Sequence, residues 1–211
     1  MNNYILSSII FSYSLLITAF VYGVTNEKMR NNELSKEYLI YLGFILVIET
    51  VNHFLITILE IKNTHFLYPL YFAGEFLILM SLCFKELKAT KKWKIIMGVV
   101  ASYIFIETTV LWLFNHDAST GYAKIISHLI IICLVAILLI KYIKEVEKND
   151  PRWFIYGALF LYYSISLFLF LLMSQLTEQN INIWIINNIL SSLLYGSFIY
   201  TFYKLIKWRS K

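Results

Sequence analysis

Seven long apolar runs follow one another along the chain, at roughly 3–24, 38–60, 66–84, 93–114, 124–143, 153–175 and 183–206, with short polar links between them. An α-helix rises 1.5 Å per residue, so about 20 apolar residues cross the ~30 Å hydrocarbon core of a bilayer. Every run meets that length. None shows the period-two alternation of a membrane β-barrel strand. The pattern predicts an all-α polytopic membrane protein: one domain over 1–211, with seven transmembrane helices and nothing left over for a soluble domain. The first run lacks a basic leader and a small-residue cleavage site, so it reads as a retained helix and not a signal peptide.

Composition agrees. Of 211 residues, 59% are hydrophobic and only 15% charged, against about a quarter charged in soluble domains. The basic residues then orient the chain, because Lys and Arg are retained on the cytoplasmic side. Lys28, Arg30 and Lys36 lie in the first link, and Lys85, Lys88, Lys91, Lys92 and Lys94 in the third. Lys141, Lys144, Lys148 and Arg152 lie in the fifth, and Lys204, Lys207, Arg209 and Lys211 in the tail. Only Lys62 and Lys124 of the 18 basic residues fall on the other side. The expectation is an amino terminus outside, a carboxyl terminus inside, and residence in a bacterial inner membrane. The net charge of +5 is accounted for by this topology signal and by the anionic inner leaflet, so no direct nucleic-acid binding is expected.

Trp93, Trp112, Trp153, Trp184 and Trp208 all fall near helix ends, where an interfacial aromatic belt places them. Cys83 and Cys133 read as buried apolar thiols, with no disulfide or metal spacing. Gly98–Ser102 and Ser192–Gly196 place small residues four apart, a spacing that lets helices approach closely. Pro69 is tolerated if the third helix begins there.

The candidate chemistry lies in the few polar groups inside the spans. An ionisable side chain near mid-bilayer costs about 2.5–3.5 kcal/mol on insertion scales, so it normally faces the bundle interior with a partner. Glu49 and His53 in the second span, Glu75 in the third, Glu107 in the fourth, His128 in the fifth and Asn187 in the seventh form the set. All lie between the outer third and the middle of their helices. Glu49, Asn52 and His53 share one helix face by their spacing, and Asn187, Ser191 and Tyr195 form a similar stripe. The expectation is a polar pocket opening outward, floored by Glu49 and Glu75, that takes a small ligand or cation. The structural alternative is hydrogen bonding between helices, at about 0.6 kcal/mol per pair. His128, near the interface and close to Lys124, reads as solvated, and "NHD" at 115–117 as a helix cap or loose cation site.

Several chemistries are excluded. No HExxH, GxSxG or P-loop is present. The seventh span reads "SSLLYGSF" where a retinal protein needs its Schiff-base lysine, and no HxxxH pair supports a ceramidase-like metal site. No cofactor is expected, the metal ligands of a hydrolase reading stay unassigned, and a non-enzymatic protein is the leading expectation.

The stretch "HFLYPLYFAGEFLILMSLCFKEL" at 65–87, with "WFIYGALFLYYSISLFLF" at 153–170 and the Asn-bearing start of the seventh span, resembles a loose group of uncharacterised bacterial seven-helix proteins. These are often encoded near sensor kinases, which implies an input or accessory role. A more distant resemblance is to the multi-pass membrane proteins that accompany type VI-B CRISPR RNA-targeting systems. The leading expectation is therefore a membrane sensor or accessory protein. An anti-phage accessory or pore-forming effector is the alternative, and an intramembrane metal-dependent hydrolase comes third. The bilayer, a membrane or cytoplasmic signalling partner at the basic inner loops, and a homo-oligomer are the partners this reading allows.

Overall fold

The computed structural model describes residues 3–61, 63–114, 121–144, 150–173 and 182–208. They form eight α-helices: α1 (Asn3–Thr25), α2 (Glu27–Arg30), α3 (Glu33–Thr57), α4 (Tyr68–Leu87), α5 (Lys91–Leu113), α6 (Tyr122–Lys144), α7 (Trp153–Met173) and α8 (Asn182–Trp208). No strand occurs among the described residues. Seven of the helices are long and apolar enough to cross a membrane, so the fold is all-α and polytopic.

The helix ends follow local chemistry. The first link contains helix instead of loop. Asn26 caps α2 by accepting the Lys28 amide at 3.1 Å, and Asn32 caps α3 by accepting the Ser35 amide at 3.0 Å. Each side-chain oxygen satisfies an amide that has no partner within its own helix. α3 accordingly starts before the apolar run and ends at Thr57, short of the expected 60. Pro69 occupies the first turn of α4, where its missing N–H leaves no helical bond unmade. α4 ends on Lys88 in the left-handed conformation (φ 53°), with the Ala89 amide closing onto the Phe84 carbonyl at 2.9 Å.

The chain divides into two compact units. One holds residues 1–36 and 132–211, the other Glu37–Ile131. In the second unit α4 is the central helix. Half of its spanning stretch is buried, against 17% for α3, and Phe76, Leu79, Met80, Leu82 and Cys83 are enclosed along one broad face. Glu37 at the start of α3 meets Lys85 at the end of α4, Nζ to Oε1 2.8 Å. Phe66 beside the start of α4 meets Trp112 at the end of α5, with ring centroids 6.5 Å apart. Successive helices are thus antiparallel, and Lys85, Lys88, Lys91, Lys92 and Lys94 collect at one end of the unit.

In the first unit α8 packs on both α1 and α7. Asn188 donates to Ser8 Oγ at 3.0 Å near the start of α8 and α1. At the other end Thr201 donates to the Pro151 carbonyl at 3.3 Å, and Tyr142 stacks on Tyr156 at 5.3 Å. Arg152, paired with Asp150, stands 5.1 Å over the Tyr142 ring. Lys28, Arg30, Lys141, Lys144, Lys204 and Lys207 share that end with it.

Two expectations about small side chains are corrected. A Cβ added at Gly98 or Gly196 would meet nothing within 4 Å, so neither marks a close helix approach. Gly74 and Gly121 do: a Cβ at Gly74 would strike the Phe44 ring of α3, and one at Gly121 would lie 2.6 Å from Leu111 Cδ1. Cys83 is buried as expected, whereas Cys133 is exposed on the surface of α6. Trp93, Trp112 and Trp153 are exposed at helix ends, as an interfacial belt requires. The side chains of Trp184 and Trp208, together with Lys62, His116 and Asp117, lie outside the described residues.

Candidate functional site

In the second unit the ionisable side chains of four helices fall in one band. Counted from the ends opposite the lysines, Glu49 and His53 lie eight and four residues from the end of α3, and Glu75 seven residues into α4. Glu107 lies six residues from the end of α5, and His128 six residues into α6. At 1.5 Å per residue these are depths of about 6 to 12 Å. The other halves of these helices hold charge only at their lysine-rich ends.

Glu107 has a structural task. Its Oε1 accepts the backbone amide of Tyr122, the first residue of α6, at 3.0 Å. A helix begins with amides that have no internal acceptor and with the positive end of its dipole, so a carboxylate there stabilises it twice over. Gly121 leaves room beside this bond, because a Cβ there would lie 2.6 Å from Leu111 Cδ1 and 3.3 Å from the Glu107 carboxyl carbon. Glu107 Oε2 is buried and makes no hydrogen bond. The carboxyl is a cap borrowed from the preceding helix.

Glu75 and His128 are the buried members, 5% and 4% exposed. The solvated reading of His128 is therefore wrong: its ring is enclosed, with Nδ1 3.4 Å from Ser127 Oγ. Lys124, one turn before His128, places Nζ 5.6 Å from the centroid of Phe72. Phe72 lies one turn from Glu75 on α4, so an ammonium, an aromatic face and a carboxyl occupy the same end of the unit.

Glu49 and His53 are exposed, and Asn52 between them is half-buried. The reason lies in how α3 is covered. Its first half is enclosed through Tyr38, Tyr41, Leu42 and Ile45. In its last two turns Val51, Phe54 and Ile56 are exposed too, and only Asn52 and Leu55 retain partial cover. The α3–α4 contact does not bring Glu49 onto Glu75. Glu37 and Phe44 mark the side of α3 that meets α4, and at 100° per residue Glu49 is turned about 120–140° away from it. On α4, Gly74 and Lys85 mark the reciprocal side, and Glu75 is turned about 100° from that. The carboxyls share a depth, but both are turned away from the side on which α3 and α4 meet.

Asn187 belongs to the first unit and is half-buried. Its carbonyl accepts Ser191 Oγ at 3.0 Å, and Ser191 and Tyr195 are buried along the same stripe. Asn188 makes the interhelical bond to Ser8, the hydrogen bonding between helices expected of polar side chains within the spans. The sequence signal for it is the Asn-Asn pair itself, one of which must face a neighbour.

Among the described residues no three His, Cys, Asp or Glu side chains lie close enough to hold a metal ion. Compared with family models, curated proteins and solved structures, the chain matches none.

Proposed function

We propose that this chain is a non-enzymatic integral membrane protein that senses a small cationic ligand at the polar band of its second unit. The observation that carries this reading is the exposed Glu49–His53 pair inside a membrane-spanning helix, level with the buried Glu75 and His128. Ionisable groups within a span persist where they meet water, a partner or a solute. A carboxylate and an imidazole one turn apart suit a cation. Glu107, already engaged at the α6 amide, takes no part in recognition.

The lysine-rich ends lie in the cytoplasm by the positive-inside preference. The amino terminus is then outside and the carboxyl terminus inside, in a bacterial inner membrane, with the band toward the outer face. Lys85 to Lys94 form the surface offered to a signalling partner.

The reading is tested on protein in lipid nanodiscs, titrated separately with Mn²⁺, Zn²⁺ and choline while thermal unfolding and Trp112 emission are followed. At least one titrant raises the melting temperature of the wild type, the rise disappears in Glu49→Gln and His53→Gln, and it survives in Lys94→Gln. No shift with any of the three, or equal shifts in all variants, overturns the reading.

A further inference from the structure

A groove of 520 Å³ runs between α1 and α8, lined by Leu15, Tyr22, Gly196, Ile199, Tyr200 and Tyr203. It is open along its side and nearly all its lining is apolar. Gly196 creates the width, since nothing stands within 4 Å of where its Cβ would be. Positions 196, 199, 200 and 203 recur at helical spacing, so they form a single stripe of α8. The stripe continues beyond the groove into Lys204 and Lys207.

Both lysines are laid against the groove's own tyrosines. Lys204 Nζ is 5.6 Å from the Tyr200 ring centroid and Lys207 Nζ 6.0 Å from that of Tyr203, distances at which a cation is drawn to an aromatic face. Neither makes an ion pair among the described residues. The short helix α2 packs on both α1 and α8, has Met29 buried, and carries Lys28 and Arg30 at the same end. The groove is therefore apolar along its length and cationic at its mouth.

We infer that this groove holds one phospholipid with an anionic headgroup. An acyl chain lies along Leu15, Gly196 and Ile199, and the headgroup phosphate meets Lys204 and Lys207. A zwitterionic lipid fills the apolar length equally well but gains less from the lysines. Basic pockets between membrane helices select acidic lipids for this reason, each Lys or Arg near the anionic surface contributing about 1 kcal/mol, or about fivefold.

Native mass spectrometry of the full chain, released from detergent with palmitoyl-oleoyl phosphatidylglycerol or phosphatidylcholine, tests the assignment. The wild type retains one phosphatidylglycerol in preference to phosphatidylcholine by about thirtyfold, the product of two such lysines. Lys204→Gln with Lys207→Gln brings the preference below about fivefold. Gly196→Leu fills the groove and removes the retained adduct of either lipid, with thermal stability unchanged. Glycerol phosphate, which has no chain, gives no protection against unfolding. Equal retention of both lipids by the wild type overturns the inference, as does an unchanged preference in the lysine variant. Equal protection by glycerol phosphate would show a simple anion site instead, and a lipid-free dimer mass would show that a second copy fills the groove. Either result also overturns it.

Discussion

Glu107 on α5 and Tyr122 on α6 are joined by a 3.0 Å hydrogen bond from backbone amide to carboxylate. One helix thus supplies the N-cap of the next. Side-chain caps contribute about 0.5–2 kcal/mol. Glu107→Ala is expected to destabilise the protein by about that amount, and Glu107→Gln, which keeps an acceptor oxygen but loses the charge at the dipole, by about 0.3–1 kcal/mol. Chemical unfolding in mild detergent measures both. A Glu107→Gln variant as stable as the wild type would show that the charge contributes nothing at this helix end.

The glycines separate into two kinds, and alanine substitution tells them apart. Gly74→Ala and Gly121→Ala force Phe44 and Leu111 to move, and overpacking of this kind costs about 1–3 kcal/mol. Gly98→Ala and Gly196→Ala enter open space and gain up to about 1 kcal/mol from helix propensity. Melting temperatures should fall for the first pair and hold or rise for the second. The reverse order would contradict the packing described.

Glu37 and Lys85 clamp α3 to α4 at the lysine-rich end. The Glu37 side chain is 12% exposed and that of Lys85 39%, and Ser81 donates a further bond to Glu37 at 3.3 Å. Solvent screening on the lysine side keeps the pair modest, so a double-mutant cycle with Glu37→Gln and Lys85→Met should give a coupling of about 0.5–1 kcal/mol. A coupling indistinguishable from zero would show that the contact is incidental.

Asn188 and Ser8 tie α8 to α1. Hydrogen bonds between membrane helices average about 0.6 kcal/mol, and a cycle through Asn188→Ala and Ser8→Ala should return a value near that. Asn187→Ala should cost less, because the only bond described for Asn187 uses its backbone carbonyl.

The length and order of the seven spans could be read from the chain because the bilayer imposes both. How each helix is rotated could not. A lipid-facing surface is as apolar as a buried one, so a span such as α6 carries little asymmetry to show that Cys133 is exposed and His128 enclosed. The small-residue spacing at Gly98 and Gly196 misled for the same reason: a small residue marks close approach only if a neighbour lies on its side. The role of Glu107 depended on a partner 15 residues away across a link, a relation no helical period encodes. A glycine just before the first turn of α6 was its one local trace. The two short helical starts in the first link were within reach, since Asn26 and Asn32 each precede an acidic first turn by one position.

The uneven covering of α3 sets a gradient of rigidity along a single helix. Its first half, with Glu37 tied to Lys85 and Phe44 lodged against Gly74, opens only when the core around it does. Its last turns have few neighbours to lose, and segments of that kind open locally at far less than the global unfolding cost. Glu49 and His53 sit on the compliant portion, so they can reorient toward a new neighbour while the anchored portion keeps its place.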